Sequence, residues 1–195
     1  MANKDAAFGL RPIGKVGQNK DNQGLSEYNI AANSSAIYQN DTVQFLATGY
    51  VGVADTTTAV LLGSLNGVFY TDTADQKPRW ANHLAASNAA TDIVGFVSDD
   101  PYERFEVQAD GTLAIADIGL NTDIVYAAGA SPNFVSKVEI DSNTANVTTA
   151  SKQFRILGVA KDIENSELAN VTTYAANVNV VGIINEHFLK STTGI

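Results

Sequence analysis

Apolar and polar residues alternate with a period of two over short stretches of this chain, and the stretches are separated by clusters of Asn, Asp, Gly and Ser. That punctuation predicts strands rather than helices. Ser26 to Ala31 places Tyr28 and Ile30 on one side of a strand, and Thr42 to Ala47 and Tyr50 to Ala54 flank Thr48-Gly49 as the arms of a hairpin or bulge. Gly67 to Thr71 and Ile93 to Val97 are compact apolar runs suited to strands covered on both faces. Tyr102 to Gln108 alternates cleanly, with Phe105 and Val107 opposed to Glu106 and Gln108, and Ala109-Asp-Gly111 predicts a tight hairpin turn into Thr112 to Ile115. Phe134 to Ile140, Phe154 to Ala160 and Asn177 to Asn185 complete the series.

The expected fold is all-β: one β-sandwich or distorted β-barrel domain over residues 25–195, with Phe105, Val107, Val138, Ile140, Ile156 and Val180 in a shared core. Helix is restricted to two short candidates, Ala116 to Asn121 with Asn121 as its C-cap, and the alanine-rich Leu84 to Ala90.

Residues 1–24 read differently. Gly9, Gly14, Gly17, Gly24 and Pro12 defeat a regular helix, so this segment is expected to be an extended arm. It nevertheless carries Phe8, Leu10, Ile13 and Val16, which must pack either on their own body or on a neighbour. Four basic residues against Asp5 alone give residues 1–20 a charge of +3, leaving −12 on the remainder of a chain whose net charge is −9. A basic arm thus precedes an acidic body, and the body repels nucleic acid and anionic lipid.

The 18 asparagines and 17 threonines reinforce the preference for strands and turns. Cysteine is absent, which excludes disulfides, thiolate nucleophiles and Cys-ligated zinc. The first apolar run is too short for a signal h-region and no stretch reaches membrane-spanning length, so synthesis in a cytoplasm is expected, with neither membrane nor nucleic acid as partner.

Candidate chemistry is sparse. His83 and His187 share no motif, and Asn185-Glu186-His187 reads as polar residues leaving the end of the last strand. Asp99, Asp100 and Glu103 lack the ladder of a calcium loop and read as a solvated turn. Trp80, after Lys77-Pro-Arg79, offers a ring for stacking on a sugar or base; beside cations it reads as the apolar end of a snorkelling pair at the edge of a core. No nucleophile elbow, phosphate-binding glycine loop or dinucleotide fingerprint occurs. No catalytic residue, cofactor or metal ligand is therefore assigned.

Several segments, taken in order, resemble one family. Ala7-Phe-Gly-Leu-Arg-Pro12, Phe105-Glu-Val-Gln-Ala-Asp-Gly111, Asp117-Ile-Gly-Leu-Asn-Thr-Asp-Ile124, Val138-Glu-Ile-Asp-Ser142, Phe154-Arg-Ile-Leu-Gly158 and Val181-Gly-Ile-Ile-Asn-Glu-His187 are similar to segments of head-associated structural proteins of tailed bacteriophages. The stretch from Val51 to Ala90 carries none of this resemblance. The resemblance implies a non-catalytic capsid decoration, or cement, protein, assembled in the host cytoplasm and bound to the major capsid protein on the virion surface. It also implies a homo-oligomer, a trimer first and a dimer second.

On this reading the arm is the anchor. Phe8, Leu10 and Ile13 are expected to enter apolar pockets of the capsid, Arg11 and Lys15 to meet acidic groups there, and Pro12, with the glycines, to keep the backbone out of helix and free to add to a neighbour's sheet edge. Deleting residues 1–24 is then expected to leave the body folded. A β-sandwich module that binds glycans is the alternative class, consistent with Trp80 and the Asn and Thr content.

Overall fold

A computed structural model describes residues 3–17, 24–145, 150–161 and 168–191, so residues 1–2 and 18–23 of the expected arm lie outside the described residues. Along the chain run β1 (Arg11–Lys15), β2 (Ser26–Asn29), β3 (Thr42–Phe45), β4 (Val51–Val53), β5 (Gly63–Thr71), β6 (Pro78–Ala81), β7 (Val94–Ser98) and β8 (Glu103–Gln108). They are followed by β9 (Asn121–Thr122), β10 (Ile124–Val125), β11 (Glu139–Ile140), β12 (Phe154–Val159), β13 (Leu168–Asn170), β14 (Thr173–Tyr174) and β15 (Asn179–Ile184). The fold is all-β, as the alternation implies, and the only helical turns among the described residues are 3-10 turns at Ile115–Asp117 and Phe188–Lys190.

Two antiparallel sheets carry the architecture. One is five-stranded in the order β1-β8-β15-β12-β9, and the other runs β2-β7-β5-β3-β4 with β6 added to β5. Each large sheet buries its own core. Phe105, Val107, Val138, Ile140, Ile156 and Val180 share the core of the five-stranded sheet, with Leu10, Leu113 and Phe154. Ile30, Val43, Leu65, Val68, Leu84 and Val97 are among those filling the other.

The sheets meet along a seam where consecutive residues divide between them: Leu61 belongs to the first core and Leu62 to the second. Leu61 donates its N–H to Glu186 and accepts from the N–H of Phe188, whose ring reaches Phe45 at 4.7 Å across the second core. A buried backbone so paired loses no hydrogen bond on leaving water, which allows the chain to cross between cores at little cost.

Four local expectations fail, each for a tertiary reason. The Asp110-Gly111 turn makes no hairpin, because β8 already has β1 on one edge and β15 on the other and offers a returning strand no partner. The chain instead leaves the sheet: the N–H of Asp110 bonds to Ile140, its Oδ1 accepts from Ser142, and Leu113 drops into the core. Leu84 to Ala90 is a loop, not a helix, since Leu84 exchanges both backbone hydrogen bonds with Ile37 and Ser87 takes a φ of 58°. So short a helix could not compete with those bonds.

Asn121 caps no helix: the 3-10 turn ends before Gly119 at φ 92°, and Asn121 pairs in β9 while its Oδ1 accepts from Arg155 Nε. Only Glu139–Ile140 of the expected Phe134–Ile140 strand pairs as a strand; Phe134 has a φ of 52° and turns the chain, and Val135 contributes isolated bridges. The described part of the arm is likewise no appendage, because Arg11–Lys15 is a strand of the five-stranded sheet.

Candidate functional site at the N-terminal strand

The N-terminal segment is tied into the seam residue by residue. Gln108 brackets its start, donating from Nε2 to the Lys4 carbonyl and accepting the Ala6 N–H at Oε1. Asn40 Nδ2 donates to the Phe8 carbonyl at 3.0 Å, the Leu10 N–H donates to the Asn40 carbonyl at 2.9 Å, and Ser64 Oγ donates to the Leu10 carbonyl at 2.6 Å. Between them Gly9 holds a φ of 75°, in a space where a Cβ would come 2.4 Å from the Asn40 carbonyl oxygen and 2.5 Å from Ser136 Cβ. Glycine is therefore dictated twice over, by conformation and by room.

Beside this crossing lies Asp41, fully buried, whose Oδ2 accepts the Tyr38 N–H at 2.8 Å. Burial pushes its carboxyl up to about 6, against the opposing pull of the Tyr38 N–H, and leaves Oδ1 buried without a hydrogen-bond partner among the described residues. Burial, together with the charge on Asp41, also raises the Tyr126 hydroxyl to about 12. Asn40, Asp41, Ser64 and Ser136 are not among the residues the sequence singles out.

Of the residues expected to face a partner, Leu10 is corrected outright: it is fully buried in its own core and cannot fill a pocket elsewhere. For the same reason the expectation that residues 1–24 can be removed without unfolding the body does not stand, since their loss takes away a core side chain and a strand. Phe8 is half-buried with the Arg11 guanidinium 4.7 Å above its ring, and Pro12 lies opposite Phe105. Arg11 pairs with Glu106 at 2.6 Å and Lys15 with Asp100 at 2.8 Å, so both cations are met by their own body. Lys15, by its hydrogen bond to Asp100, holds that carboxyl below the usual carboxylate range.

Ile13 differs from all of these. The register shifts between Pro12 and Gly14, leaving Ile13 on a bulge at the sheet edge, 44% exposed. Val16 is 42% exposed and donates its N–H to Tyr102, which is itself 61% exposed. Ile13, Val16 and Tyr102 are thus exposed apolar side chains along and just beyond β1, and Lys190 Nζ lies 5.1 Å from the centroid of the Tyr102 ring. Pro12 and the bulge are devices that prevent strand addition, so this edge of the sheet offers side chains rather than a continuous backbone edge.

The other candidates serve the fold. His187 is buried, its Nδ1 accepting the Leu189 N–H at 3.1 Å, which places the ring proton on Nε2, a buried atom with no hydrogen-bond partner among the described residues. Burial and the nearby Lys190 lower its pKa to about 4, and the lone pair that a general base needs is already engaged. His83 is stacked between Tyr38 and Phe134, with ring centroids 6.1 and 3.9 Å away. Asp99 accepts from Tyr28 Oη, Asp100 from Lys15 and the Tyr102 N–H, and Glu103 from the Gly14 N–H. Among the described residues no cluster of His, Asp or Glu is arranged to hold a metal. Trp80 forms no pair with Arg79, which is turned to Asp72 and Asp75; its ring leans on Phe96 at 4.6 Å.

Comparison with protein-family models, with curated proteins and with solved structures finds no match for this chain.

Proposed function

We propose that this chain is a non-catalytic structural protein of a tailed-phage virion, which decorates and stabilises the outer surface of the capsid by binding the major capsid protein. The carrying observation is the N-terminal strand, locked to the body through Leu10 while Ile13, Val16 and Tyr102 stay exposed beside it, and we infer that these three serve as one apolar ridge. The ordered resemblance to head-associated proteins supplies the identity of the surface it meets. Rigid attachment suits the task, because a side chain already fixed by its strand loses little entropy on docking.

The size of the ridge sets a further requirement. Full burial of an apolar side chain contributes about 1.5–3 kcal/mol, and Ile13 and Val16 have less than half of their surface left to bury, so each adds about 1 kcal/mol. Three such residues make a weak contact. Several ridges borne by one homo-oligomer, a trimer first and a dimer second, convert weak contacts into stable occupancy through effective concentration. The protein then acts after synthesis in the host cytoplasm and resides on the virion surface.

The test is co-sedimentation of the purified full chain with shells of the major capsid protein encoded by the same phage. Ile13→Asp and Val16→Asp are expected to melt within a few degrees of the wild type and to lose attachment. Undiminished attachment of both variants would remove the ridge from the proposal.

A further inference from the structure

The outward face of the six-stranded sheet carries an aromatic surface that the proposed attachment does not use. Trp80 is 57% exposed and Phe69, directly opposite it in the β5–β6 register, is 41% exposed. Strand alternation puts Phe96 on the same face, opposite Gly67, and the Phe96 ring supports Trp80 at 4.6 Å. Gly67 makes the arrangement possible: a Cβ there would sit 2.9 Å from Trp80 Cζ2, so the missing side chain lets the indole lie down over the backbone. A tryptophan needed only for packing would bury its ring; this one is seated with more than half of its surface in solvent.

The margins of this face are polar and acidic. Glu27 pairs in register with Phe96 and Asn29 with Val94, and both are exposed. At the far end Asp92 is held by the Thr71 N–H, at 3.1 and 3.2 Å to its two oxygens, and remains exposed. Arg79 belongs to the opposite face by alternation and is paired with Asp72, while Lys77, 75% exposed at its side chain, lies 3.9 Å from Asp75, so Glu27 and Asp92 are the charges at the margins of the aromatic face that no cation among the described residues pairs.

We propose that this face is a carbohydrate-binding platform for a neutral oligosaccharide, with Trp80 and Phe69 stacking on sugar rings and Glu27, Asn29 and Asp92 taking hydroxyl hydrogen bonds. The electron-rich ring faces attract the slightly positive C–H groups of a pyranose, and carboxylate and amide groups are the usual acceptors and donors for its hydroxyls. Charge disfavours two other occupants. A second copy of the same face would bring its own carboxylates against Glu27 and Asp92, and an anionic polymer would be repelled likewise. A neutral sugar brings no charge to oppose them.

Trp80 is the only tryptophan in the chain, so its fluorescence reports on this face alone. The full-length protein is titrated with neutral hexasaccharides of glucose, mannose and N-acetylglucosamine. At least one is expected to shift the emission to the blue and saturate at millimolar concentration or below. Phe69→Ala is expected to weaken that binding at least tenfold with an unaltered melting transition, and Trp80→Ala to abolish the calorimetric binding signal. Absence of any shift with all three sugars overturns the proposal, as does equal affinity in Phe69→Ala. An emission shift driven by protein concentration alone, or by oligolysine and no sugar, also overturns it, marking the face as a contact for a second copy or for a cationic protein.

Discussion

Replacing Leu10 by alanine separates the two roles the N-terminal strand combines. Leu10 has no exposed surface and sits among the residues of the five-stranded sheet's core, so the substitution leaves a cavity in a region fixed by hydrogen bonds on both sides of that residue. Such a loss costs about 2–5 kcal/mol, the higher values applying where the walls cannot collapse. The bonds from the Leu10 N–H to Asn40 and from Ser64 Oγ to the Leu10 carbonyl hold the backbone in place, which argues for about 3 kcal/mol or more. For a chain of this size each kcal/mol lowers the melting temperature by about 2–4 °C, so Leu10→Ala is expected to melt about 6–12 °C below the wild type. Ile13→Ala, at a residue 44% exposed, is expected to cost less than about 1 kcal/mol. Circular dichroism melts, with urea titration to confirm that the slope is unaltered, measure both. If Leu10→Ala melts within 2 °C of the wild type by the same scale, or Ile13→Ala loses as much, the assignment of lock and ridge is wrong.

Two titrating groups make opposing contributions with pH. His187 is held neutral with a pKa of about 4 against an ordinary 6.5, so below pH 6.5 the unfolded chain takes up the proton first, and stability falls until pH 4, by on the order of 3 kcal/mol. His187→Gln should flatten the dependence of urea stability on pH within that window; a slope equal to the wild type's would refute the assignment. Asp41, raised from 3.8 to about 6, is charged at a cost above pH 6, so Asp41→Asn should stabilise the protein at pH 8 and lose its advantage by pH 3.5. An advantage that persisted at low pH would show that charge is not its source. Gly9→Ala should destabilise the protein by more than about 3 kcal/mol, whereas Gly17→Ala, at φ 91° with nothing within 4 Å, should cost about 1 kcal/mol; equal melting temperatures for the two would contradict the close approach at Gly9.

Where strands alternate strictly, the sequence was a good guide. β8 and β15 repeat buried and half-buried positions with a period of two, and the residues expected to share a core do so. What the pattern could not contain is competition for edges. Asp110-Gly111 has ideal hairpin chemistry and fails because both edges of β8 are taken, one of them by a strand more than ninety residues earlier. The same applies to the candidate site. Leu10 and Ile13 are equivalent apolar residues in a glycine-punctuated segment, and only distant partners, Asn40 and Ser64 against open solvent, decide that one is core and the other surface. The cations were misjudged likewise, because Glu106 and Asp100 lie far along the chain from Arg11 and Lys15. Trp80 stands out in the sequence as a ring beside cations, but the small residue that seats it is on another strand.

The central claim is that this chain sits on a phage shell with β1 as its contact. A cryo-EM reconstruction of the purified virion, with quantitative mass spectrometry of the same particles, tests it most directly. The account predicts this chain in fixed stoichiometry with the major capsid protein, arranged as symmetric oligomers, with Ile13, Val16 and Tyr102 covered by the shell. A virion lacking the chain, or one in which it is bound with β1 facing solvent, would contradict it.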